Sequence, residues 1–217
     1  MMNVTFGRTD DRPLSILCLG CHSDDIEIGC GGTILRLIRE DPNCRIYWSV
    51  FSAIGQRRVE AERGARMFAG AERLEHLQLK EFRDGFMPFA GAEIKDVFEE
   101  MKKAVSPDII FTHNRRDAHQ DHRLLCELTW NTFRNHFILE YEIPKYDGDL
   151  GQPSVFVPLD AEVSQTKVQF LMDIFRSQQS KPWFEESTFQ SLMRLRGMEC
   201  NAPSGYAEAF YCRKLVI

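Results

Sequence analysis

The stretch Leu14-Ser15-Ile16-Leu17-Cys18-Leu19-Gly20-Cys21-His22-Ser23-Asp24-Asp25-Ile26-Glu27-Ile28-Gly29-Cys30-Gly31-Gly32 decides how the rest of the chain is read. Its first third is an almost unbroken apolar run, the pattern of a strand buried on both faces. It then places an imidazole and two adjacent carboxylates where that strand would give way to a helix. Working outward, Ile46–Phe51 and Ile109–Thr112 repeat the apolar run, and a second polar cluster, Asp117-Ala118-His119-Gln120-Asp121-His122, follows the latter. Between the runs lie apolar residues at helical spacing: Ile34, Leu35 and Ile38, then Val59 to Phe68, then Ile94, Val97, Phe98, Met101 and Val105. Strands alternating with helices predict an α/β fold, a mostly parallel sheet with helices on both faces. Ligands in such sheets bind beyond the carboxyl ends of the strands, where both polar clusters fall.

The chemistry of the clusters is that of a metal-centred hydrolytic site. A catalytic divalent metal takes about three nitrogen or oxygen ligands and leaves a position for water. His22 and Asp25, three residues apart in a turn, can converge on one ion, and His122 completes a set of two histidines and one carboxylate. Asp24 is then left over to take a proton from water as general base. His119 shares a helix face with His122, so it is free to carry a proton and, as imidazolium, to stabilise an oxyanion, oriented by Asp121 or Asp117. The plainer alternative makes these residues helix caps: Asp24 or Asp25 for a helix following Gly29, Asp117 for the helix holding Leu124, Leu125 and Leu128. Six acidic or imidazole groups at two strand ends would, however, repel one another without a cation.

The same residues resemble a known family. Residues 21–34, CHSDDIEIGCGGTI, are similar to the A-H-P-D-D-x-E-x-G-x-G-G-T signature of the PIG-L/LmbE-type metal-dependent N-deacetylases, and THNRRDAHQDHR resembles their D-x-H-x-D-H motif. Arg57-Arg58-Val59-Glu60-Ala61 resembles the family's R-x-x-E-A, and Tyr206-Ala207-Glu208-Ala209-Phe210 its C-terminal motif. The resemblance implies a Rossmann-like single domain with zinc ligands His22, Asp25 and His122 (Fe2+ being an alternative metal), general base Asp24, and His119 as oxyanion and proton donor supported by Asp121. It also implies that Arg57 lines the substrate site, with Tyr206 a candidate hydroxyl donor there. The implied activity is hydrolysis of the acetamide of an N-acetylglucosamine-like conjugate, a small molecule, by a homo-oligomer such as a trimer or hexamer. Ser23 and Gln120 replace two prolines of the usual motifs, which should loosen both turns.

Composition agrees with an enzyme domain. The 217 residues suit one domain, expected over 14–217 behind a polar tail at 1–13 that lacks the apolar core of a secretory signal. A net charge of -5 argues against nucleic acid, and no run nears the roughly 20 apolar residues of a membrane span. Seven cysteines, an odd count with a single C-x-x-C (Cys18, Cys21), read as buried thiols of a reducing, cytoplasmic compartment. Cys21 is the exception to watch, since it adjoins His22. In the second half, Ile138–Ile143 and Ser154–Leu159 read as strands joined by a turn-rich connection at Lys145–Pro153. Helices follow around Val168–Phe175 and Phe189–Arg196, with a closing strand within Glu208–Ile217.

Two rival functions fit parts of the pattern. Two histidines and a carboxylate also form the facial triad of non-haem iron oxygenases. Gly29-Cys30-Gly31-Gly32 after a strand could belong to a non-catalytic nucleotide- or sugar-binding module, although the spacing is wrong and the preceding carboxylates would repel a diphosphate.

Overall fold

A computed structural model describes residues 4–6, 10 and 12–216. Most of the expected tail at 1–13, and Ile217, lie outside the described residues; Phe6, which is described, packs its ring 6.0 Å from that of Phe137. The elements are β1 Ser15–His22, α1 Asp25–Glu40, β2 Arg45–Ser52, α2 Gln56–Ala69, β3 Leu74–Leu79, α3 Gly91–Ala104, β4 Ile109–His113, α4 Gln120–Thr132, β5 Phe137–Tyr141, β6 Val155–Leu159, α5 Ala161–Ile174, α6 Glu186–Glu199 and β7 Tyr206–Cys212. The seven strands form one sheet in the order β3-β2-β1-β4-β5-β7-β6. β3 through β5 pair in parallel, and β7 and β6 extend that edge antiparallel. Helices α1, α2, α5 and α6 pack with one apolar layer and α3 and α4 with the other, which gives the Rossmann-like α/β arrangement expected.

β1 lies inside the sheet between β2 and β4, and its side chains are buried nearly throughout because both faces are covered. β3 was not foreseen. Its sequence, Leu-Glu-His-Leu-Gln-Leu, mixes apolar and polar residues, and as an edge strand it needs only partial burial.

The glycines after β1 lie inside α1, not ahead of it, and they admit close packing rather than phosphate. A side chain at Gly29 would collide with the Tyr141 ring, and one at Gly32 with Leu159 and Glu208. Glu208 reaches into α1 from β7 and accepts hydrogen bonds from the backbone N–H groups of Gly32 (2.8 Å) and Thr33 (2.6 Å). Lys167 of α5 pairs with Glu208 at 2.5 Å and donates to the carbonyl of Ile28 at 2.6 Å. In a regular helix Gly32 would donate to Ile28, so the ion pair meets both ends of that backbone bond. One turn earlier, Glu27 is fully buried against Gly64, with neither carboxylate oxygen hydrogen-bonded. Burial, with Asp24 and Asp25 nearby, pushes its pKa well above the ordinary glutamate value.

Candidate metal centre

Strand β1 ends at His22 and α1 begins at Asp25, so the two polar residues of the intervening turn are fixed by the sheet on one side and by a helix N-terminus on the other. A helix N-terminus favours negative charge, which suits the Asp24-Asp25 pair. The Asp25 carboxylate accepts the backbone N–H of His22 at 2.7 Å, closing the turn. Asp24 occupies the N-cap position, but its side chain caps nothing. Instead it accepts from Arg57 of α2 at 2.5 Å.

Three atoms converge. His22 Nδ1 stands 3.3 Å from Asp25 Oδ2 and 3.2 Å from His122 Nε2, and the third edge, His122 Nε2 to Asp25 Oδ2, is 3.5 Å. Ligands held about 2.0–2.1 Å from a tetrahedral ion stand roughly 3.3–3.4 Å apart, so the triangle has the size of one face of a zinc coordination shell.

The rear nitrogens of both imidazoles meet carboxylates. His122 Nδ1 lies 2.9 Å from Asp117, and His22 Nε2 lies 2.9 Å from Asp84 and 3.5 Å from Asp121. The Asp117 carboxylate behind His122 fixes its tautomer and leaves Nε2 for a metal, whereas His22 Nε2 has carboxylates close by without a hydrogen bond to them.

Electrostatics point the same way. Asp24, Asp25, Asp84, Asp117 and Asp121 gather around the triangle, and the permanent cations paired with them are Arg57 on Asp24 and Lys145 on Asp117. Burial opposes charge on His22, but Asp25, Asp121 and Asp84 outweigh it and hold its pKa well above the usual imidazole value. Burial likewise opposes charge on Asp25, where His122, His113 and His22 prevail and hold it well below the carboxylate range. Asp24 is raised, by burial above all and against the pull of Arg57. The His22 imidazole draws Asp84 down to about 2.

His119 stands at the mouth, half-buried, with its ring edge-on to His22 at 5.0 Å between centroids. Its Nδ1 accepts the backbone N–H of Asp121 at 3.2 Å, so the proton of the neutral ring sits on Nε2. Burial and the neighbouring imidazoles lower its pKa, which favours a neutral donor over the imidazolium expected from sequence. The Asp121 carboxylate does not orient His119. It accepts the backbone N–H groups of Gly85 (2.7 Å) and Met87 (3.1 Å) and faces His22. The N-cap of α4 is His119, not Asp117, which accepts the N–H of His119 at 2.8 Å.

Sequence reasoning missed Asp84, His113 and Lys145. Asp84 follows the unrecognised strand β3, so nothing marked its Asp-Gly turn as part of the site. His113 ends β4, fully buried, with Nε2 3.1 Å from Asp25 and its ring stacked on His122 at 3.8 Å. Cys21, His113, Asp25 and His122 offer ligand atoms within 4.8 Å of one another. The stacked rings are only 19° apart, however, so their in-plane lone pairs run side by side and do not converge on one ion. Burial raises the Cys21 thiol pKa well above its usual value, consistent with an inert buried cysteine.

The loop read as a connection is docked on the second cluster: Lys145 meets Asp117 at 3.0 Å and Asp149 at 2.6 Å, and Asp149 accepts the N–H of Ala118 at 2.6 Å. Each proline replacement has a polar contact across its turn. Ser23 donates to the Ser52 carbonyl at 3.5 Å, and Gln120 donates to the carbonyl of Gly85. Tyr206 is not brought to the centre; it opens β7 opposite Leu159, which packs on Gly32, two turns into α1.

Comparison with known proteins completes the picture. Residues 17–133, more than half of the chain, match the profile of the GlcNAc-PI de-N-acetylase (PIG-L) family. The chain is 27% identical over 146 residues to a protein named as an uncharacterized deacetylase, YaiS, of Escherichia coli (strain K12), covering 59% of this chain and 74% of YaiS. Among solved structures it is similar to the N,N'-diacetylchitobiose deacetylase from Pyrococcus horikoshii (TM-score 0.71, 21% identity, 92% of this chain and 83% of that one). It is also similar to GalB, the 4-carboxy-2-hydroxymuconate hydratase from Pseudomonas putida KT2440 (TM-score 0.71, 15% identity, 94% and 98%), so the fold by itself serves more than one reaction. With the first motif, its partner motif and the strand-helix units that carry them all inside the matched segment, this chain belongs to the PIG-L family of de-N-acetylases.

Proposed function

We propose that the protein is a zinc-dependent N-deacetylase that hydrolyses the acetamide of an N-acetylglucosamine-like conjugate, releasing acetate and a free amino sugar. The observation that carries this reading is the triangle of His22 Nδ1, Asp25 Oδ2 and His122 Nε2, backed by carboxylates and flanked by an unligated Asp24, in a chain of de-N-acetylase family. These three residues would hold the metal, which when bound polarises the acyl carbonyl and lowers the pKa of a water toward about 7.

Asp24 takes a proton from the attacking water as its oxygen bonds to the acyl carbon, and its buried, raised carboxyl is a better base for the purpose. Arg57 keeps Asp24 aimed and brings positive charge to the substrate side. His119 donates its Nε2 proton as a hydrogen bond to the carbonyl oxygen as charge gathers there, a contribution of roughly 3–4 kcal/mol in such sites. Protonated Asp24 then returns the proton to the departing amine nitrogen. Asp121 acts by holding the Gly85–Met87 backbone and backing His22.

The test is release of acetate and primary amine from a panel of N-acetylglucosamine derivatives by zinc-loaded and chelator-treated protein. Chelator-sensitive release supports the reading. No release from any derivative, with one equivalent of zinc still bound, overturns it.

A further inference from the structure

Eleven large apolar side chains are exposed among the described residues, and six of them, Ile54, Val59, Phe86, Phe89, Tyr146 and Leu150, lie on the segments that follow β2, β3 and β5 at the carboxyl edge of the sheet. The other five are near the chain ends or on α6. Of the six, Phe86 and Phe89 stand together, and an apolar pair exposed beside polar groups marks a place for a ligand. Their loops are also fastened to the reactive centre. The segment carrying Phe86 and Phe89 holds Asp84 against His22 and is pinned through the N–H groups of Gly85 and Met87 to Asp121. The segment carrying Tyr146 is pinned through Lys145 and Asp149 to Asp117 and Ala118. Phe89 is 82% exposed, with its ring 6.0 Å from that of Phe86, whose face is covered by Arg83 at 3.5 Å.

We infer that this rim is an aglycone subsite: the amino sugar occupies the centre while an apolar group attached to it, aryl or alkyl, lies on Phe86 and Phe89. The inference rests on the deacetylase reading and deepens it. The Phe89 ring, tilted 47° to that of Phe86, presents apolar surface on an anchored loop at little entropic cost, which a sugar bearing only hydroxyls would leave uncovered. The continuity of this loop with Asp84 and Asp121 places its occupant beside the scissile bond, not on a remote face.

The test compares kcat/KM of the zinc-loaded protein for free N-acetylglucosamine, its p-nitrophenyl glycoside and its octyl glycoside, with solution molar mass measured in parallel. The expected result is a preference of about tenfold or more for one or both glycosides, reduced at least fivefold in Phe89→Ser and Phe86→Ser; which glycoside gains tells aryl from alkyl. Equal kcat/KM for all three substrates, or a preference that both variants retain, overturns the inference while leaving the deacetylase reading intact. A fall in molar mass in Phe89→Ser with the preference unchanged assigns the rim to contact between copies of the chain and also overturns it. Absence of chelator-sensitive turnover on every substrate overturns the deacetylase reading itself.

Discussion

Helix α1 carries buried charge at two levels, and the two differ in one respect. Midway along it, Lys167 and Glu208 neutralise each other and meet the backbone groups of Ile28, Gly32 and Thr33. At its first turn, five carboxylates gather around His22 and His122 with Arg57 and Lys145 as their paired permanent cations. The first cluster is complete within the chain. The second has lone pairs converging on a point and negative charge in excess, which is the signature of a place for a cation and for chemistry. Burial and hydrogen bonding alone do not separate them, because both are buried and both are bonded.

Substitutions can break this comparison, beginning with the largest effect. Asp24→Asn should lower kcat about a thousandfold or more, within what loss of a general base costs. Bound zinc and melting temperature should stay near those of the parent, checked by metal analysis and calorimetry; a variant with more than a tenth of parental kcat would remove Asp24 from the reaction. Lys167→Met should do the opposite. It leaves Glu208 buried and unpaired, a loss of about 3–5 kcal/mol in urea unfolding, while kcat per folded molecule stays close to parental. Lys167→Met with Glu208→Gln should regain part of that loss, since replacing a whole buried pair is far cheaper than halving it.

Zinc supplied at about a hundred times its Kd should stabilise the protein by about 2.7 kcal/mol, a rise of roughly 5–10 °C in melting temperature. The gain has a pH sign. The raised pKa of His22 means that the metal-free centre holds a proton there, and zinc must displace it. The stabilisation should therefore shrink as the pH falls through that raised value, and calorimetry in buffers of different ionisation enthalpy should register proton release on binding.

The smallest expected effect belongs to Glu27, whose raised pKa means that the folded state holds its proton more tightly than the unfolded chain. Its contribution is full below the ordinary glutamate pKa and is lost as the pH rises through the folded-state value. Glu27→Gln should remove that slope, so that the variant gains stability relative to the parent as the pH rises toward 9, read as melting temperature. Parallel stability curves from pH 5 to pH 9 would contradict it.

The sequence made the reactive end of this contrast legible and the structural end opaque, for a physical reason. Metal ligands must be of a few types at close spacing, so His22, Asp24, Asp25, His119 and His122 stand out in any window that contains them. Lys167 and Glu208 lie 41 residues apart, and the bond they complete is between backbone groups that leave no trace in residue type. β3 hid because an edge strand need not be apolar, and with it went Asp84. His113 stood one position past the apolar run Ile109–Thr112, but a lone histidine there carries no signal until the fold stacks it on His122. Asp121 was recognised, yet its carboxylate serves a loop 36 residues away, not the histidine two positions before it.

The reach of Glu208 into α1 also orders events in time. The first motif leaves a ribosome well before β7, which brings the Glu208 carboxylate that the Gly32 and Thr33 N–H groups meet. Until then this part of α1 lacks the carboxylate it packs on, and β5 lacks β7 beside it. The proposed ligands are thus synthesised before the strand that steadies their helix, and a chain that stops short of Tyr206 would hold all of them without the Glu208 on which α1 rests.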